Sequence, residues 1–344
     1  MNATKEETSG KITTNKETVE GYAESGLPQC FSSPEADPSE GFWRSSPGGI
    51  DDSPASRLDW KPSAPWFFKT CRDNWKKQHP EKVDVQPYWT WEAVKCQLDN
   101  VSDSKFCHVM KARKGLLLVG DSLTGIFANT LLAVLAAKRV RFNGNTARDE
   151  WSACGGTLPV LFVRNDYLDT GVEPFDEDKC RNADRIPQDN TMCHIFADDH
   201  TLSRFDTLVV NSGTHPRPDK QYAAGMKAAA GVLSSSMERL HGDDALLVVR
   251  NTVPGHWGCS ERMFNGPVDT EVALGLVNGA PPGYQWQTFH TQNALLEDAF
   301  SPDIGWNLLD AYTPTLLRPD SHPGGEVGKE DCLHYCIPGP IDHW

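Results

Sequence analysis

The chain has 344 residues, 38% of them hydrophobic and 23% charged, a balance ordinary for a soluble globular protein with one large core or two modest ones. A net charge of −14 with no visible basic patch argues against duplex nucleic-acid binding and for a neutral or cationic partner, or for a small substrate alone. No run of 18 apolar residues occurs, so no membrane span is expected.

Residues 1–57 are rich in Ser, Pro, Gly, Glu and Thr and read as a disordered leader. The leader has no apolar h-region of the kind a signal peptide carries. Phe42-Trp43 is its one segment able to dock on a folded body. Residues 58–344 read as the catalytic domain, of which 58–114 are an aromatic, cysteine-containing portion. Its most strand-like piece is Pro87-Tyr88-Trp89-Thr90-Trp91. Of the eleven tryptophans, Trp43, Trp60, Trp66, Trp75, Trp89 and Trp91 fall in non-periodic stretches. They either pack an irregular cap or stack on sugar rings.

The core begins at Gly115. Leu116-Leu117-Leu118-Val119 is a continuous apolar run, the pattern of a strand buried on both faces. It ends at Gly120-Asp121-Ser122, after which Ile126, Phe127, Thr130, Leu131, Val134 and Leu135 mark one face of a helix. Further strands are expected over 158–163, 207–210, 245–250 and 307–310, with helices over 223–240 and 291–299. The Gly-, Asp- and Cys-rich stretch 143–193 otherwise reads largely as loop. Strands alternating with helices indicate a mainly parallel sheet with helices on both faces, and ligands then sit beyond the carboxyl ends of the strands.

The ten cysteines are even in number, scattered and free of CxxC pairs. That pattern points to disulfides and an oxidising compartment rather than to zinc. Given the cysteines, a start other than the present one is expected for the native protein. Asn2-Ala-Thr and Asn100-Val-Ser are compatible glycosylation triplets.

Three segments carry candidate chemistry. Ser122 stands at the strand-to-helix turn, where a hydroxyl is exposed and backbone N–H groups converge; the alternative is that Asp121 or Ser122 merely caps the helix. Asp331 and His334 are three residues apart, so the carboxylate can steady the imidazole. Alternatively, Cys332, His334 and Cys336 hold zinc, or the two cysteines staple the tail and His334 is a surface residue. Asn211 or Gly213, after the strand at 207–210, could complete an oxyanion hole with the Ser122 N–H; each could equally be an ordinary strand-end or turn residue. His322, two residues after Asp320, is a rival base.

The order Ser, then Asn, then Asp-x-x-His resembles the SGNH/GDSL hydrolase pattern. In detail the chain is similar to the PC-esterase family and its plant trichome-birefringence-like branch. The resemblance rests on Trp89-Thr90-Trp91 with Lys95-Cys96-Gln97-Leu98, on Leu118-Val119-Gly120-Asp121-Ser122-Leu123, and on Leu208-Val209-Val210-Asn211-Ser212-Gly213-Thr214-His215. It continues through Arg250-Asn251-Thr252-Val253-Pro254-Gly255-His256, Leu308-Leu309-Asp310, Arg318-Pro319-Asp320-Ser321-His322-Pro323 and the tail from Asp331 to Trp344. It spans about residues 60–344. The chain departs from the plant pattern at Thr124-Gly125-Ile126, where a Ser-Arg-Asn-like triplet is usual, and at Asn-Ser-Gly-Thr-His-Pro, which replaces an aromatic-rich ending.

The resemblance implies an SGNH-like three-layer α/β sandwich with loop-rich insertions. It implies a Ser122–His334–Asp331 triad transferring an acetyl or other acyl group to or from carbohydrate hydroxyls, with a polysaccharide acceptor, in the Golgi lumen or secretory pathway. No metal or organic cofactor is expected, only an acyl donor such as an acetyl ester or acetyl-CoA. An O-acetyltransferase is the first expectation and a polysaccharide acetylesterase the second. A non-catalytic carbohydrate-binding or cell-wall scaffold is the third.

Overall fold

A computed structural model describes residues 30, 37–48, 88–98, 102–142, 148–170, 196–215, 217–260, 264–325 and 329–344. Their centre is a seven-stranded sheet, in the spatial order β4-β5-β6-β3-β7-β8-β9. The strands are β3 (Leu116–Gly120), β4 (Lys138–Phe142), β5 (Arg148–Ala153), β6 (Leu158–Arg164), β7 (Thr207–Val210), β8 (Leu246–Arg250) and β9 (Trp306–Leu309). From β6 across to β9 every pairing is parallel. β4 and β5 add an antiparallel edge.

Side chains alternate across a strand, so the apolar run of β3 serves two cores at once. Leu116 and Leu118 join one buried cluster and Leu117 and Val119 the other. The first cluster is closed by α2 (Ser122–Val134) and by the C-terminal residues Tyr335, Ile337 and Ile341. The second is closed by α4 (Asp219–His241) and α6 (Phe289–Ala299), through Tyr222, Met226, Leu233, Met237 and Leu296. Each fully buried Leu or Met contributes on the order of 1.5–3 kcal/mol, so the sheet is a rigid floor for whatever stands at its edge. The α/β sandwich with helices on both faces agrees with the sequence reading.

Three short helices complete the described elements: α1 (Asp103–Val109), α3 (Asp199–Leu202) and α5 (Thr270–Asn278), with a further turn of helix, α7, over Tyr312–Leu316. α1, α3 and α5 each begin on a Ser or Asp whose side chain accepts from a first-turn N–H: Ser102, Asp198 and Asp269.

Two expectations are corrected. Arg148–Ala153 is a strand, not loop, lying second from the sheet edge between β4 and β6. The leader contains a strand as well. Gly41–Ser45 (β1) pairs antiparallel with Trp89–Ala93 (β2), and Trp43 is buried, donating from Nε1 to the Pro314 carbonyl at 2.8 Å. Of the aromatic pair only Trp43 thus docks, with Arg318 stacked 4.6 Å over its ring, while Phe42 stays exposed. Cys30 is tied to Cys96, which fastens the start of this segment to the end of β2. Residues 1–29, 31–36 and 49–57 of the leader, with Trp60, Trp66, Trp75, Asn100 and 171–195, lie outside the described residues.

Candidate active site

The site is built at the carboxyl end of β3. Gly120 closes the strand against α2 and the neighbouring strand end: a Cβ there would stand 2.3 Å from Thr124 Oγ1 and 2.7 Å from the Asn211 carbonyl. Asp121 is the N-cap of α2, and its Oδ1 accepts from Leu123 N at 2.9 Å and Thr124 N at 3.3 Å. Its Oδ2 accepts from Thr214 Oγ1 at 2.6 Å. The helix-cap alternative is therefore true of Asp121 and leaves Ser122 free for another task. Ser122 is the first residue of the helix, and the cap takes the N–H groups of the next two residues rather than its own. Its N–H is thus one of the first-turn donors that a helix start directs at an approaching anion.

The partner comes from the far end of the chain. Asp331 Oδ1 accepts from the backbone N–H of Leu333 at 3.3 Å and of His334 at 3.0 Å, which folds the Asp-x-x-His segment into a tight turn. Within that turn His334 Nδ1 lies 2.8 Å from Asp331 Oδ2 and 3.1 Å from Oδ1. A carboxylate only accepts, so Nδ1 carries the proton and Nε2 presents a lone pair. Nε2 is 2.9 Å from Ser122 Oγ. Serine, histidine and aspartate thus form one continuous hydrogen-bonded line, half-buried at its His334–Asp331 end. Burial raises the Asp331 pKa, but the hydrogen bonds and charge of His334 and the Leu333 amide outweigh it and hold the carboxyl below its ordinary value.

The turn is fixed on both flanks. Gly324 and Asp331 exchange backbone hydrogen bonds of 3.1 Å. Cys332 is bonded to Cys259, 73 residues away, and its carbonyl accepts from His256 N at 2.9 Å. Cys336 is also disulfide-bonded. Neither cysteine is left as a thiolate, and His334 Nδ1 is committed to Asp331, so the alternative of zinc held by Cys332, His334 and Cys336 does not fit this arrangement.

The two strand-end residues after β7 are placed differently. Asn211 is fully buried, and its Nδ2 donates to the Arg250 carbonyl at 2.8 Å and to Thr252 Oγ1 at 3.0 Å. Both amide hydrogens are spent joining the end of β7 to the end of β8, so the side chain brings no free donor to an oxyanion. Gly213 has φ +155°, and a Cβ there would meet Thr252 Oγ1 at 2.3 Å, so only glycine lets the chain pass. Thr214 then ties that passage to Asp121, beside the nucleophile turn. His322, the rival base, is buried and turned inward: its Nδ1 donates to the His334 carbonyl at 2.8 Å and its Nε2 lies 2.7 Å from His256 Nδ1.

Several site residues were given no role from the sequence. Arg250 is completely buried behind the turn, donating to Thr124 Oγ1 at 3.2 Å and stacked 4.8 Å from the Trp344 ring. Burial pushes its pKa down to about 10, partly offset by the Asp121 charge, so the buried guanidinium stays charged. At the end of β6, Arg164 pairs in a fork with Asp166 at 2.8 and 3.2 Å. His215 Nε2 is 3.0 Å from Asp166 Oδ2, off the hydrogen-bonding direction. Burial would lower the His215 pKa, but the Asp166 carboxylate more than reverses that and raises it. Only the tertiary fold gathers these groups at neighbouring strand ends.

Comparison with known proteins places this geometry. Residues 219–344 match the family described as "PC-Esterase: GDSL/SGNH-like Acyl-Esterase family found in Pmr5 and Cas1p". Protein trichome birefringence-like 26 of Arabidopsis thaliana is 48% identical over 88% of this chain and 78% of its own length. The chain belongs to the PC-esterase family, in its trichome birefringence-like branch. Xyloglucan O-acetyltransferase 1 of Arabidopsis thaliana is 25% identical over 75% of the chain, which spans 68% of that relative. Protein trichome birefringence-like 25 of the same plant is 24% identical over 74% of the chain, which spans 65% of it. In this PC-esterase chain the family match takes in Asp331 and His334, whereas Ser122 lies ahead of the matched segment.

Proposed function

We propose that this chain is a serine-dependent acyltransferase that moves an acetyl group onto a polysaccharide hydroxyl through an acyl-Ser122 intermediate. The observation that carries the reading is the line Ser122 Oγ, His334 Nε2, His334 Nδ1, Asp331 Oδ2, with contacts of 2.9 and 2.8 Å. His334 takes the Ser122 proton as Oγ attacks the acyl carbon of an acetyl ester or acetyl-CoA. The resulting imidazolium is stabilised by Asp331 and gives the proton to the departing oxygen or sulfur. The developing oxyanion is met by the Ser122 N–H at the start of α2, with the Gly213 N–H as second donor; Asn211 holds the Gly213 passage in place. A sugar hydroxyl then loses its proton to His334 and takes the acyl group, regenerating Ser122. The acceptor class follows the names of the relatives, two of which are called xyloglucan O-acetyltransferases. The disulfides favour a secretory or Golgi setting.

The family description also names acyl-esterases, and hydrolysis uses the same machinery with water as acceptor. The two readings separate in one experiment. The chain is incubated with a chromogenic acetyl ester, with and without xyloglucan oligosaccharides, and acetyl-Ser122 is trapped by mass spectrometry. Acetylated oligosaccharide identifies a transferase. Release of acetate that is indifferent to the acceptor identifies an esterase. Absence of acyl-Ser122 with both, from a folded chain, overturns the proposal.

A further inference from the structure

Behind His334 lie two histidines that the mechanism above does not use. His256 Nε2 is 2.8 Å from the Leu316 carbonyl, and His322 Nδ1 is 2.8 Å from the His334 carbonyl. Between them His256 Nδ1 faces His322 Nε2 at 2.7 Å. Both rings are buried. Tyr335 lies against the pair, its ring 4.3 Å from that of His322. The Tyr335 hydroxyl donates to the Pro254 carbonyl at 2.5 Å and is 3.5 Å from His256 Nδ1.

The protons of this cluster can be counted. Carbonyl oxygens only accept, so His256 Nε2 and His322 Nδ1 must each carry a hydrogen. A neutral imidazole has one N–H, which leaves two lone pairs facing each other at 2.7 Å. That arrangement is repulsive, and among the described residues no other donor settles it, because the tyrosine proton goes to Pro254. A third proton between the two rings satisfies every contact. We infer that His256 and His322 share one proton, and that this buried cationic pair is a positioning device for His334, clamping its carbonyl and setting a positive charge behind its ring.

Burial presses each imidazole toward neutrality and on balance holds both below an ordinary histidine, His256 down to about 4 and His322 down to about 3, the His256 ring adding to the push on His322. Acids press the other way: Asp320 raises His256 and Asp331 raises His322. The remaining titratable neighbours are His334, on whose carbonyl the pair is anchored, and Tyr335, with Arg318 and Tyr312 acting on that phenol. Against that push stands the geometry, since two lone pairs cannot face each other at 2.7 Å and a buried charge survives where every donor has an acceptor. The consequence for His334 is electrostatic. A positive charge behind the ring repels the imidazolium that His334 becomes during turnover, against the attraction of Asp331.

The proton count stands apart from the serine mechanism; the positioning role rests on it. The test uses the full chain labelled with ¹⁵N-histidine and two variants. At neutral pH the native protein should show two imidazoles with both nitrogens protonated or in proton exchange, and a strongly downfield N–H signal that His322→Asn removes. Asparagine keeps a donor near the Nδ1 position but frees His256 to be neutral. In His322→Asn the acid limb of acetyl-ester turnover should therefore move to higher pH. His322→Leu, lacking the donor as well, should lose roughly tenfold or more at the plateau, the equivalent of about one hydrogen bond. Two neutral tautomers in the native spectrum overturn the shared proton. A pH profile of His322→Asn superimposable on the native one overturns the positioning role. Turnover surviving in Ser122→Ala would instead overturn the serine mechanism and leave the spectroscopic result standing.

Discussion

His334 Nε2 stands 2.9 Å from Ser122 Oγ across 212 residues of sequence. The contact is made because the C-terminal residues pack into the same core that α2 caps, with Tyr335, Ile337 and Ile341 buried beside Ile126 and Phe127. Nucleophile and base are thus placed by one hydrophobic cluster.

Ser122→Ala tests the nucleophile. The hydroxyl's partner is His334 at the edge of the site, so its loss should leave the melting temperature within a few degrees of native. Turnover should fall on the order of 10⁶-fold, as for other triad nucleophiles. A folded Ser122→Ala chain that retains more than a few per cent of its acetyl-ester turnover would assign the nucleophile elsewhere.

Asp331→Asn tests the support of the base. The amide keeps an oxygen for the Leu333 and His334 N–H groups but cannot fix the Nδ1–H tautomer, so a loss of roughly 10⁴-fold is expected, smaller than for His334→Ala. A second readout is stability against pH. The folded carboxyl lies below its unfolded value of about 3.9, so its contribution is present above about pH 4 and lost as pH falls through the folded pKa. Melting temperatures of native and Asp331→Asn chains should differ at neutral pH and converge in acid. Parallel curves throughout would remove the linkage.

The parts of the fold that were legible share one property: a single local pattern dictates them. Leu116–Val119 is apolar without interruption because both its faces are covered, and Asp331 with His334 is a pair whose spacing alone forms the turn. β4 and β5 were not legible. Arg148-Asp149-Glu150-Trp151 has the polar composition of a loop and becomes a strand because β6 supplies its partner. Asn211 carried two readings for a related reason. A strand-end Asn has two donors, and only the approach of Arg250 and Thr252 from β8 decides where they go. His256 meets His322 across 66 residues, a pairing with no sequence period.

Asn211→Ala separates a structural bracket from an oxyanion donor. Removing the amide takes the side-chain donor from the buried Arg250 carbonyl and one from the Thr252 hydroxyl, which keeps its bond to the Ser212 carbonyl, at a cost of about 1–3 kcal/mol for a buried group left unsatisfied. Denaturant midpoints should therefore fall clearly. Turnover of the fraction that remains folded should drop far less than the 10²–10³-fold typical of a lost oxyanion donor. An unchanged midpoint with a thousandfold loss of kcat would restore Asn211 to the oxyanion hole.

The Cys259–Cys332 bond is the last point of leverage, because it clamps the residue next to Asp331. Two effects should follow from Cys259→Ser with Cys332→Ser. Releasing a cross-link between residues 73 apart lowers global stability by roughly 2–5 kcal/mol, since the unfolded chain regains its freedom. Locally the turn keeps its Gly324 bridge and the His256 amide bond to the 332 carbonyl, so the triad should still assemble, but less of the time. The expected result is a kcat lowered by about tenfold or more in a chain still folded at low temperature, with Asp331→Asn adding little on top, because both changes act through the orientation of His334. Full additivity of the two losses would mean that the disulfide serves stability alone and that the Asp331 turn is held by its own hydrogen bonds.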